Sequence, residues 1–138
     1  MNKYIRNIGD KFRIGLVVAM CIWSTIASAA TTLNGKMILR SENDPEIIDM
    51  INQGKPIQYR AIQLDQPKTF NLPNEMDDGY QLYKNQRYIQ LVAGSYNDLK
   101  KIKLNSKIRV TCDELYTQHS IHHFTEVLCF VKRIEVLK

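Results

Sequence analysis

KIRVTCDELYTQHSIHHFTEVLCFVKRIEVLK, residues 107–138, decides how this chain is read. Ile108, Val110 and Cys112 alternate with Arg109, Thr111 and Asp113, a period of two that suits a strand with one buried face. Residues 126–137 repeat that character, and a polar segment bearing His119, His122 and His123 lies between the two runs. A hairpin symmetric about Ser120 and Ile121 sets Cys112 opposite Cys129. That register permits a cross-strand disulfide.

Working outward, the N-terminus reads as a secretory signal peptide over residues 1–29. Lys3, Arg6, Lys11 and Arg13 form a basic region, Ile14 to Ile26 is an apolar run, and Ala27-Ser28-Ala29 is a small-x-small cleavage site. An uncleaved anchor would need about 20 apolar residues, and small residues crowd the end of this run. Cys21 lies inside the run after the bulky Met20, which does not suit lipidation. No stable membrane anchor is therefore expected after cleavage, and residues 30–138 are expected to form a single domain in the periplasm or outside the cell.

The 138-residue chain has a net charge of +5. The leader takes away four basic residues and one acidic residue, Asp10, which leaves +2. So small an excess gives little reason to expect a nucleic-acid partner. Of three cysteines, Cys112 and Cys129 remain after cleavage, and an oxidising compartment favours their pairing. In a chain-entropy view a loop of that size stabilises by about 3 kcal/mol.

The upstream chain supplies the rest of the expected fold. Asn34-Gly35 signals a turn before a short strand at 36–40, with Met37 and Leu39 on one side. Asp44-Pro45-Glu46 reads as a capped helix start, Ile47, Ile48 and Ile51 recur at helical spacing, and Gly54 ends the run. Residues 57–70 alternate as a strand, with a turn or bulge at Asp65-Gln66-Pro67. Residues 71–80 read as a loop whose acids, Glu75, Asp77 and Asp78, lack calcium-loop spacing. Residues 86–93 form a further strand, with Tyr88, Gln90 and Val92 on one face and Ile89, Leu91 and Ala93 on the other. Around Asn105-Ser106, Lys101, Lys103, Lys107 and Arg109 alternate with apolar residues. On two adjacent strands they would form one cationic patch for an anion or a partner, or a solvated outer face. The sum is a mainly β domain with one short helix, either a small, partly open barrel of the oligonucleotide/oligosaccharide-binding (OB-like) type or a sandwich.

The run from Leu104 to Leu128, with Lys107, Val110, Leu115, Tyr116, His122, His123, Thr125 and Val127 at matching positions, resembles an uncharacterised family of small secreted bacterial proteins, the domain of unknown function 4431. The stretch from Tyr59 to Pro67 looks like that family's middle strand and proline. The sequence departs from the pattern near Cys112 and Asp113, where a glycine is expected. The resemblance implies export and a small β fold, and it supplies no activity.

Candidate chemistry centres on the histidines. Imidazoles clustered in a turn suit zinc or copper, but a closed zinc site wants four ligands, and Asp113, Glu114 and Glu126 match no standard spacing. The other reading is that His122 and His123 orient the hairpin through hydrogen bonds to backbone carbonyls. No catalytic residues are assigned: both retained cysteines suit a disulfide, and Ser120 beside histidines is not a triad. Two function classes follow. One is a non-enzymatic periplasmic binding protein, an inhibitor or immunity-type protein with a protein partner. The other is a metal- or anion-binding domain using the histidine turn or the basic patch.

Overall fold

The structure is a computed structural model and describes residues 30–74 and 78–138. The expected signal peptide, Glu75 and Asp77 lie outside the described residues. Five strands and one helix follow in the order β1 (Thr31–Ser41), α1 (Pro45–Asn52), β2 (Gln58–Asn74), β3 (Gly79–Ala93), β4 (Lys107–Thr117) and β5 (Val127–Val136), with one 3-10 turn at Leu99–Lys101 between β3 and β4. Around the barrel the order is β1-β2-β3-β5-β4, closing back on β1. Every neighbouring pair is antiparallel except β3 with β5. This is the small, mainly β, OB-like barrel expected above, with five strands and closed rather than partly open.

Closure depends on β1. Its first half pairs with β4 and its second half with β2, and the two ladders overlap at Gly35, which faces Ile108 on one side and Leu64 on the other. A Cβ at Gly35 would overlap the Gln63 carbonyl. The strand therefore bends from one neighbour to the other at the one residue that lets the backbones approach so closely. The turn expected at Asn34-Gly35 is this bend inside a continuous strand.

The core follows the alternation. Leu33 and Met37 of β1, Ile62 and Leu64 of β2, Ile89 and Leu91 of β3, Ile108, Val110 and Cys112 of β4, and Val127, Cys129 and Val131 of β5 fill the interior. Removing such side chains from water is the main stabilising contribution, at about 25 cal/mol per Å² of apolar surface.

Cys112 and Cys129 are disulfide-bonded, with Cα atoms 5.5 Å apart. The register beneath the bond differs from the expected one. Cys112 faces Val131, and Cys129 faces Leu115. The ladder shifts twice near Cys112, once between Thr111 and Cys112 and again between Cys112 and Glu114. Asp113 on β4 and Lys132 on β5 are the extra residues, so the two irregularities compensate and both cysteines remain buried. Gly94 packs against this bulge: a Cβ there would lie 2.8 Å from the Val131 carbonyl oxygen and 3.1 Å from Asp113 Oδ2.

The helix forms as its ends dictate. Asp44 Oδ1 accepts the Glu46 and Ile47 N–H groups, Pro45 opens the first turn, and Gln53 (φ 53°) and Gly54 (φ 76°) close it in left-handed conformations. Two other expectations are corrected. The stretch 71–80 is largely hairpin, since β2 and β3 stay paired out to Asn74 opposite Gly79. The expected bulge does occur, between Gln63 and Lys68. Residues 102–106 form no strand, so Lys101 and Lys103 do not share a sheet with Lys107 and Arg109.

Candidate functional site

The histidines lie in the loop joining β4 to β5, and the loop is ordered largely by groups other than their rings. Gln90 on β3 holds it from below. Its Nε2 donates to the His122 carbonyl at 3.0 Å, its Oε1 accepts the Phe124 N–H at 2.7 Å, and its own N–H donates to Thr125 Oγ1 at 3.0 Å. Thr125 Oγ1 in turn donates to the Val127 carbonyl at 2.7 Å. Above this clamp, His119 Nδ1 lies 2.8 Å from the Thr117 carbonyl, and His123 Nδ1 accepts the His119 N–H at 3.3 Å. The two rings meet edge to face with centroids 4.5 Å apart, and both rest on Tyr116, which stacks on Phe130 at 4.1 Å. The ring-to-backbone bonds are thus made by His119 and His123, whereas His122 is held through its backbone. Among the described residues no group of three or more His, Cys, Asp or Glu side chains is arranged to hold a metal ion.

Tyr116 carries the most displaced ionisation. Burial, and then the charge of Glu114, push its phenol up to about 12. Its hydroxyl is buried without a hydrogen-bond partner, so the ring serves the cluster as a packing surface.

The four basic residues named from sequence are dispersed. Lys101 pairs with Asp98 at 3.1 Å. Arg109 lies 3.7 Å from Glu135 across β4 and β5, and its Nε donates to Asn34 Oδ1 at 3.2 Å. Lys103 sits in the connecting segment, and Lys107 faces Lys36 across β4 and β1. Two of the four are therefore matched by carboxylates, in exposed pairs worth about 0–1 kcal/mol each.

A more developed arrangement lies on the outer face of β1, β2 and β3. Because Ile62, Ile89 and Leu91 point inward, Tyr59, Ala61 and Gln63 of β2 and Tyr88 and Gln90 of β3 point outward. Arg40 of β1 faces Tyr59, Ala61 faces Gln90, and Gln63 faces Tyr88. The Arg40 guanidinium carbon lies 4.1 Å from the centre of the Tyr88 ring. Tyr59 stacks with Phe124 of the histidine loop, centroids 4.9 Å apart. Burial raises the Tyr59 phenol above its usual value, against the lowering influence of Arg40. Beside these rings is a groove of about 320 Å³ lined by Arg40, Arg87, Tyr88, Phe124 and Glu126 among others. Gln86 Nε2 donates to Glu126 Oε2 at 2.6 Å and so fixes its carboxylate at the edge of the groove.

Sequence reasoning placed Tyr88 and Gln90 on a common face but did not find this platform. Its members come from four segments, and the pairings of β1 with β2 and of β2 with β3, with the loop held on Gln90, bring Arg40 to Tyr88 and Phe124 to Tyr59. The available signal was the aromatic character of two outward positions, Tyr59 and Tyr88, in strands whose inward positions are aliphatic.

The fold and this face describe a small closed barrel with an aromatic outer face, and the fold by itself specifies no function. Residues 88–135 match the family described as domain of unknown function (DUF4431), the family that the histidine segment resembled. The match runs from Tyr88 through Glu135, so it takes in Gln90, the disulfide and all three histidines and leaves out Arg40 and Tyr59. Neither the curated proteins nor the solved structures hold a match to this chain.

Proposed function

We propose that this is a non-enzymatic binding protein that recognises another protein, as an inhibitor or immunity-type protein does, in an oxidising compartment such as the periplasm. The observation that carries this reading is the Arg40 guanidinium lying on Tyr88 beside the Tyr59–Phe124 stack. Arginine and aromatic side chains contribute most to binding energy at protein interfaces. Here they are already packed on strands and on a clamped loop, so little side-chain freedom is lost on association. OB-like barrels bind through the face of their second and third strands and through the loops after the first and fourth. In this chain those loops are the α1 segment and the histidine loop. The same chemistry stacks the bases of single strands, but the Glu126 carboxylate in the groove disfavours a polyphosphate ligand. The disulfide accords with an exported protein.

The test compares the full chain, oxidised and immobilised, with the Arg40→Ala/Tyr88→Ala double variant as baits for extract proteins. A protein held in equimolar amount by the wild type, lost by a variant of unchanged melting temperature, and altered in its own activity when bound, supports the proposal. Equal retention by both baits overturns the assignment of this face.

A further inference from the structure

A closed five-stranded barrel has two ends, and each must be covered by something apolar if the core is to be packed to normal density. At the end where β1 finishes and β2 begins, the covering piece is a single 3-10 turn, Leu99–Lys101, followed by Ile102. Arg60 ties that piece down: Nη1 donates to the Ile102 carbonyl at 2.7 Å and Nη2 to the Lys100 carbonyl at 3.2 Å. Leu99 and Ile102 pack against the core. One turn is too short to cover the whole mouth. Leu39, on the same inward alternation as Leu33 and Met37, is left 42% exposed. Between Leu39, Leu91 and Leu99 remains a recess of about 480 Å³, with Tyr59, Arg60 and Lys100 at its rim. That volume falls in the range of small-molecule sites, about 300–1,000 Å³, which occur in the mouths of β-barrels.

We propose that this recess binds a small amphipathic anion, an alkyl chain of medium length ending in a carboxylate. Leu39, Leu91 and Leu99 offer the chain an apolar floor. The rim supplies the opposite charge to the head group. Lys101 is matched by Asp98, whereas neither Lys100 nor Arg60 makes an ion pair with a carboxylate among the described residues. Arg60 spends two N–H groups on carbonyls, and a guanidinium has five. An alkyl carboxylate satisfies both features of the recess, whereas a neutral alcohol satisfies only one. The recess adjoins the platform at Tyr59, but the inference rests on different residues, Leu39, Leu91, Leu99, Arg60 and Lys100.

The experiment titrates the full oxidised chain with sodium decanoate and with 1-decanol, each below its aggregation limit, and follows leucine methyl resonances by NMR. The expected result is saturable binding of one decanoate with shifts at Leu39, Leu91 and Leu99, and decanol about tenfold weaker, a difference of about 1.4 kcal/mol. Lys100→Gln weakens decanoate about fivefold, as an exposed ion pair allows, and leaves decanol unchanged. Leu39→Asn, at a half-exposed position, removes both. Absence of saturable shifts at these methyls, decanol binding as tight as decanoate, or decanoate binding undiminished in folded Leu39→Asn would overturn the proposal.

Discussion

Gln90 Oε1 accepts the backbone N–H of Phe124 at 2.7 Å, across 34 residues of sequence, and the Phe124 ring stacks on Tyr59. One buried amide on β3 therefore holds the histidine loop against the platform. Replacing it with leucine leaves the His122 carbonyl and the Phe124 N–H without their partner in a part-buried site. The expected cost is about 2–3 kcal/mol, read by urea denaturation, together with loss of the Tyr59–Phe124 contact in NMR spectra. An unchanged loop in Gln90→Leu would show that the contacts of Tyr116 with His119 and His123 suffice to hold it.

The disulfide should stabilise without being needed for the barrel's topology, because the β4–β5 ladder continues on both sides of it. The Cys112→Ala/Cys129→Ala variant is expected to lose about 3 kcal/mol. A reductant should lower the melting temperature of the wild type and leave that of the variant where it is.

Gly35→Ala should be far more damaging than its size suggests. The new Cβ has no room against the Gln63 carbonyl at the point where β1 changes partners. Relief requires separating β1 from β2, so a loss above about 3 kcal/mol or failure to fold is expected. Normal stability in this variant would contradict the close approach of the two strands.

Asp113 sets a pH dependence. The Ser95 hydroxyl donates to Oδ2 at 2.7 Å and the Ser95 N–H at 3.1 Å, and these bonds hold the carboxyl below its usual range. A carboxylate depressed in the folded state contributes stability that is complete above the unfolded value of about 3.9 and is lost as pH falls through the folded value. Ser95→Ala should therefore flatten the decline of stability with acid below about pH 4. Urea midpoints measured from neutral to acid pH check this, and parallel curves for wild type and variant would refute it.

What the sequence made legible was local. The helix was readable because Asp44, Pro45 and Gly54 act within one turn of its ends, and the cysteine pair because two alternating runs flank one short loop. The register under the disulfide was not, because Asp113 and Lys132 are compensating extra residues that cancel and leave the hydrophobic pattern intact. Asn34-Gly35 misled for a related reason: the dipeptide favours turns, yet here Gly35 answers to backbones distant in sequence, at Gln63 and Ile108. The platform lay furthest from view, since Arg40, Tyr59, Tyr88 and Phe124 share no local pattern and meet only through strand pairing and the clamped loop. The four basic residues look like a patch in sequence because the alternation runs through residues 102–106, which instead form a connecting segment bonded to the Met37 backbone.

The outer face of β1, β2 and β3 is the surface we propose for a protein partner. The most direct measurement is a hydrogen-exchange footprint of the captured complex against the protein alone. Added protection at residues 38–40, 59–63, 86–90 and 122–126 is expected. Protection confined to the outer face of β4 and β5, around Thr111, Lys132 and Arg133, with no change at Arg40, Tyr88 or Phe124, would contradict it.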